Sequence, residues 1–301
     1  MTQSLKAVVL SDRTIIAISG PDRVRFLQGL MTNDIRRLAP DKTLYVGFLT
    51  GQGKLLCDAF LMQDGDRILI DIAATFVKDF IKRLNAFKLR TAVEIGETAP
   101  ALAVAALWGT GATERLGLDS AEGVTGSSGV ADAQYVFVDP RIAALGARLI
   151  YSADFPIEAE LARIGFVIVT PADYVVHRLA LGIADTAEIA GEVCYPLEAN
   201  FEMLHGVDFK KGCYIGQELT ARMKLKVGLR KRILPVSGSA PLPGAGTTVM
   251  ADGIALGPLL AASGRRGLAL IRLDRLACAK EDGIRARDVQ LTIHWPSWMP
   301  R

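Results

Sequence analysis

The residues best suited to chemistry lie in one stretch, Lys210-Lys211-Gly212-Cys213-Tyr214-Ile215-Gly216-Gln217-Glu218. A cysteine between two glycines can be presented on a tight turn, because glycine adopts backbone conformations that a Cβ forbids. The thiolate is the reactive form of cysteine, and neighbouring ammonium groups or a helix N-terminus lower its pKa. Two lysines precede Cys213, and the chain from Gly216 to Met223 reads as a helix, with Leu219 and Met223 one turn apart. Glu218 then falls in the first turn, where a negative charge is favoured. The pattern predicts Cys213 as a working thiolate, Lys211 as its activator, and Gln217 and Glu218 as residues that fix the loop. The plain alternative is a small buried residue in a turn, since free cysteines are among the most buried types. The flanking residues favour reactivity.

Other chemistries find less support. Cys57, Cys194 and Cys278 are scattered with no CxxC pair, against a structural zinc site, a thioredoxin-type centre or a disulfide scaffold. No GxGxxG, Walker-type loop, HExxH or GxSxG occurs in a suitable context. His177, His205 and His294 are isolated; His177 fits a partly buried structural role as well as any other, and His294 reads as structural.

Several elements must position that stretch. Thr14–Ser19 reads as a first strand, and Gly20-Pro21-Asp22 opens a helix with proline at its first position. Strands are predicted over 43–50, 54–63 and 66–72, with Asp64-Gly65 as a hairpin turn, then an amphipathic helix over 73–88. Further strands fall at 91–95, 101–108, 135–138 and 147–151, helices at 157–164 and from Pro171 to about Leu181, and a loop over 182–197. The strip Arg222–Arg232 carries six cations and no acid, and Lys224-Leu225-Lys226-Val227 alternates like a half-exposed strand. Without interleaved aromatic residues, nucleic acid is not the expected partner. An acidic partner suits the strip better. Past a turn-rich Ser237–Gly244, short strands at 247–251, 256–262, 267–272 and 289–295 suggest a small β-sandwich or barrel.

A chain of 301 residues suggests about two domains, divided as 1–230 and 231–301. Half the residues are hydrophobic and the net charge is only +3, a globular balance with no strong electrostatic partner. No apolar run approaches the roughly 18 residues that span a bilayer. No signal or transit peptide is visible, so a reducing cytoplasm is expected.

Lys211–Glu218 resembles the signature of the YgfZ-type folate-binding proteins, which include the mitochondrial-type factors for late 4Fe–4S cluster assembly. They are relatives of the glycine-cleavage T protein, a tetrahydrofolate-dependent aminomethyltransferase. Phe26–Asp34 resembles the family's N-terminal motif, Gly51–Asp58 its following hairpin, and Tyr195–Asn200 the segment before the cysteine motif. The resemblance implies an α+β fold: a T-protein-like folate-binding region in two subdomains with a C-terminal antiparallel β-barrel. It implies a site for tetrahydrofolate, with Asn33, Asp58, Asp71, Arg178 and Asn200 as its candidate lining. It also implies a transient iron–sulfur cluster, and iron–sulfur carrier proteins and client 4Fe–4S enzymes as partners. Two departures stand out. Cys57 replaces one acid of a paired acidic motif, and Ala180 replaces a glutamate two residues after Arg178. Aminomethyl transfer, the alternative function, needs acids of this kind to steer protons at the folate, so that activity is not expected.

Overall fold

A computed structural model describes residues 4–126, 129–280 and 283–300, and every count below refers to these. The chain forms two compact units. The first holds Met1–Leu49, Leu56–Pro171 and Leu204–Ile215; the second holds Thr50–Leu55, Ala172–Met203 and Gly216–Arg301.

The first unit contains β1 (Lys6–Val9), β2 (Arg13–Ser19), α1 (Arg23–Gln28), β3 (Leu44–Leu49), β4 (Leu55–Asp64), β5 (Arg67–Ala73), α2 (Val77–Lys88) and β6 (Glu94–Glu97). It continues with β7 (Leu102–Trp108), α3 (Ala112–Arg115), β8 (Thr125–Gly126), β9 (Ala133–Val138), β10 (Ala147–Ser152), α4 (Ile157–Arg163) and β11 (Val167–Ile168). One sheet runs β3-β4-β5-β2-β6 and the other β11-β1-β7-β10-β9-β8. Phe80 and Leu84, one turn apart on α2, join Phe26 and Leu27 of α1 against the first sheet. Leu116, Ile157 and Leu161 cover the second. The hairpin at Asp64-Gly65 forms as its turn signal predicts, with Gly65 at φ 56° and Asp64 opposite Arg67.

Two expectations in this unit shift. A strand, β1, precedes the one read as first, and it pairs in parallel with the short β11, Lys6 opposite Val167. Helix α1 begins at Arg23 rather than Pro21, because Gly20 turns at φ 98° and the Asp22 carboxylate accepts from Ala92 N–H at 2.9 Å. That bond commits Asp22 to the segment around Ala92 instead of to a helix cap.

In the second unit, α5 (Pro171–Ala180), α6 (Thr186–Ile189) and α7 (Gln217–Arg222) lead to β12 (Lys231–Gly238), β13 (Thr248–Ala251), β14 (Ile254–Ser263) and β15 (Arg266–Arg272). Helix α8 (Leu273–Leu276), β16 (Ile284–Ala286) and β17 (Val289–Ile293) complete the order. The strands close an antiparallel barrel, β12-β15-β14-β13-β16-β17, filled by Leu234, Val249, Leu256, Ile271 and Leu291. Met223–Val227 is a π-helical turn continuing α7, not the alternating strand expected there. It stops where Gly228 turns at φ 68°. The second unit joins the barrel with segments that precede residue 230 and are bonded to it. Ile233 N–H donates to Glu198 O at 2.8 Å, and Trp298 Nε1 donates to Leu181 O at 2.8 Å. Among the described residues no helix is long and apolar enough to cross a membrane.

Candidate functional site

The cysteine motif is fastened to the end of α1. Lys211 is buried, and its ammonium donates to the carbonyls of Gln28, Met31 and Asn33 at 2.8, 2.5 and 2.8 Å. Ile215 N–H donates to Gly29 O at 3.0 Å, and Asp208 N–H to Thr32 O at 3.1 Å. Thr32 Oγ1 donates to Gly206 O at 2.5 Å, and Asn33 Nδ2 reaches His205 O at 2.7 Å and Tyr45 O at 2.9 Å. Two motifs roughly 180 residues apart are thereby closed into one structure, and Cys213 lies exposed on it.

This geometry changes the role of Lys211. The motif suggests an activator facing the thiol, but an ammonium has three donors, and all three go to carbonyl oxygens. It is a positioning residue. Burial pushes its pKa down to about 8, although Asp34 and Asp208 act the other way. Asp34 stays ionised, its carboxyl held at about 2 by hydrogen bonding from Arg36. The glycines also differ: Gly216 turns at φ 79° ahead of α7, whereas Gly212 is not in the left-handed region. Gln217 and Glu218 open α7, with Glu218 exposed in its first turn.

The residues expected to line a folate site are buried and internally bonded. In the first unit Tyr45 joins two of them: its carbonyl accepts from Asn33, and its hydroxyl donates to Asp58 Oδ2 at 3.0 Å. Asn33 and Tyr45 line a cavity of about 170 Å³ with Arg37, Lys42, Glu122 and His205. Asp71 instead receives Arg13 Nε and Arg148 Nη1, each at 2.5 Å. In the second unit Arg178 donates to both oxygens of Glu188 at 2.9 Å and to Ile183 O at 2.7 Å. Glu188 therefore supplies a carboxylate to Arg178 while Ala180 is exposed. Asn200, at φ 63°, donates to Ile233 O and accepts from Arg232, a junction with the barrel.

Sequence reasoning missed the largest charged assembly of the first unit. Arg13, Arg141 and Arg148 place their guanidinium carbons 5.3, 4.9 and 3.9 Å from the centroid of the Phe60 ring. Asp71 binds two of them, and Asp139 accepts from Arg141 at 2.8 Å and Arg148 at 3.4 Å. Burial pushes the Asp139 carboxyl up, but the Arg141 and Arg148 guanidiniums outweigh it and hold the group below its ordinary value. Beside the cluster, burial and the Asp58 charge push the Cys57 thiol up, so the sulfur that replaces an acid stays protonated. Glu188 was also missed. Its signal was present: Asp185-x-x-Glu188 is a capping box, in which Asp185 caps α6 and Glu188 accepts from Asp185 N–H at 2.7 Å.

The architecture is that of the glycine-cleavage T proteins. The chain superposes on the glycine cleavage system aminomethyltransferase T from Bartonella henselae with a TM-score of 0.79, covering 99% of this chain and 87% of that one. Identity is 16%, so the likeness shows the fold alone. Residues 230–301 match the family model of the CAF17 C-terminal β-barrel domain.

Sequence relatives narrow this class. The human iron–sulfur cluster assembly factor IBA57, mitochondrial, is 31% identical over 313 residues, covering 97% of this chain and 84% of the relative. The Aspergillus fumigatus homologue is 34% identical, covering 88% of this chain and 69% of the relative. This chain belongs to the IBA57 family of iron–sulfur cluster assembly factors. It spans 57% of the length of the Mycosarcoma maydis homologue, at 32% identity. The expected cytoplasmic location is contradicted by these relatives, which are named as mitochondrial.

Proposed function

We propose that this protein serves the assembly or repair of 4Fe–4S enzymes by presenting Cys213 to a partner that carries the cluster, which is cargo rather than a resident cofactor. The observation behind this reading is an exposed thiol on a loop fastened through Lys211. Of the other cysteines, burial pushes the thiol of Cys194 up to about 12 and that of Cys57 higher still. Cys278 is exposed on the barrel unit and is the internal control. One thiolate cannot hold a cubane that takes four, so iron–sulfur carrier proteins or client enzymes supply the remaining ligands. Cys213→Ala in a strain lacking the native gene is expected to abolish rescue of a 4Fe–4S enzyme, and Cys278→Ser to leave it intact. Full rescue by Cys213→Ala would defeat the proposal.

A reduced folate is the proposed small-molecule ligand, of the YgfZ type. The cavity beside Asn33 and Tyr45 supports it, because a pterin edge offers donors and acceptors in alternation, and Arg37, Lys42, Glu122 and His205 in its wall supply both kinds of partner. Titration with tetrahydrofolate should saturate, and Asp58→Asn, which alters the partner of the Tyr45 hydroxyl, should weaken the binding. Aminomethyl transfer to the folate is expected to be absent.

A further inference from the structure

The barrel carries a polar cluster that has no part in the chemistry above. Ser237 of β12 lies opposite Thr292 of β17 on one side and Arg266 of β15 on the other. Directly opposed residues share a sheet face with Cβ atoms about 4.5–5.5 Å apart, so the exposed Arg266 stands beside the Ser237 hydroxyl. His294 follows β17; its N–H donates to Pro235 O at 2.8 Å, and its Nε2 lies 2.7 Å from Ser237 Oγ. The next residue, Trp295, is 37% exposed, an unusual place for a large aromatic ring. Ser237, Arg266, His294 and Trp295 border one groove of about 530 Å³, with Pro235 and Pro296 in its wall. No aspartate or glutamate is among the described residues that line it. Its size suits a small ligand, for which roughly 300–1,000 Å³ is usual.

We infer that this groove binds a small amphipathic carboxylate. Arg266, the Ser237 hydroxyl and the His294 ring take the carboxylate. Trp295, Pro235 and Pro296 take an apolar body attached to it. The charge balance selects an anion, and a guanidinium beside a hydroxyl matches carboxylate geometry. A nucleophilic serine is the rival reading of the pair, but it needs a third group to orient the base. Among the described residues no carboxylate is bonded to the His294 ring.

The test titrates the full chain with N-acetyl-phenylalanine and with its amide, following tryptophan emission. The acid is expected to give a saturable change, and the amide to bind about tenfold more weakly, because it carries no negative charge and offers no second oxygen for a bidentate pair with Arg266. Arg266→Ala should bring the acid down to the level of the amide, and Trp295→Phe should remove the optical response. His294→Gln is measured alongside, so that misfolding of one variant, seen by circular dichroism, does not decide the matter. Equal binding of acid and amide, no saturation up to about 10 mM, or an unchanged response in the folded Arg266 and His294 variants would overturn the inference. So would a Ser237-dependent burst of nitrophenolate from p-nitrophenyl acetate, which would make the pair catalytic.

Discussion

The first unit buries positive charge in two ways. Around Phe60, three guanidiniums meet the carboxylates of Asp71 and Asp139, and each charge has an opposite charge in contact. At the end of α1, the Lys211 ammonium meets neutral groups, three carbonyl oxygens and the Tyr214 ring 4.8 Å from Nζ, while Asp34 and Asp208 act on it through space. The consequence is a different balance of burial and partner charge at the two sites. Asp139 is held ionised, whereas Lys211 is brought down to about 8. Paired charges make a fixed strut; a lone ammonium among dipoles makes a fastening that responds to pH.

The largest effect should come from the strut. Asp71→Asn leaves Arg13 and Arg148 buried with a neutral partner, and breaking a buried pair in this way costs about 3–5 kcal/mol. Urea denaturation reads it directly; a loss below about 1 kcal/mol would place the cluster among weakly coupled surface pairs. Lys211→Met should cost less, about 1–3 kcal/mol, for carbonyls left without donors. Its distinguishing sign is local: hydrogen exchange at the Ile215 amide should quicken and Cys213 alkylation should change, while the Phe60 cluster keeps its protection. Uniform loosening of both regions would refute separate roles.

The two sites should also answer pH with the same sign but in separate windows. Below pH 8 the Lys211 proton is bound in both folded and unfolded chains, and the fold bears the full penalty of burying it. Between about 8 and the ordinary 10.5 the unfolded chain keeps the proton and the folded one has lost it, so stability rises with pH. Asp139 has the same sign in acid: its folded value lies below the ordinary 3.8, so its contribution is present above that value and is lost as pH falls through the folded one. Stability curves of the protein and of Lys211→Met should therefore differ in slope between pH 8 and 10.5 and run parallel in acid. Parallel curves throughout would remove Lys211 from the account.

The contrast also explains what could be read in the sequence. The Cys213 loop and the N-terminal motif were legible because each is local and glycine-marked. Their union was not, because Lys211 binds backbone carbonyls, which leave no mark on side-chain identity. Arg13, Asp71, Asp139 and Arg148 have no common period and meet only when two sheets have formed. In the barrel, glycine turns announced most strands, but β12 was hidden by Pro235 and by Ser237-Gly238, residues that elsewhere signal a turn. The π-helical turn was misread because Lys224-Leu225-Lys226-Val227 satisfies a period of two by accident. The chain had already entered a helix at Gln217, and that preceding turn, not the alternation, set its course.

The smallest effect tests the loop glycines, which the sequence treats as equivalent. Gly216 sits at φ 79°, where a Cβ meets the following carbonyl, so Gly216→Ala should cost about 1–2 kcal/mol. Gly212 lies outside that region, and a Cβ built on it meets nothing within 4 Å. Gly212→Ala should stay within about 0.5 kcal/mol of the parent and could even stabilise slightly by restricting the unfolded chain. If both substitutions proved equally harmful, Gly212 would have to matter for what approaches Cys213 rather than for the fold. Comparing rescue of a 4Fe–4S enzyme with denaturation midpoints in the two variants then separates those cases. A Gly212→Ala protein that folds normally but fails to rescue would mean that a partner comes into close contact with the backbone beside the thiol.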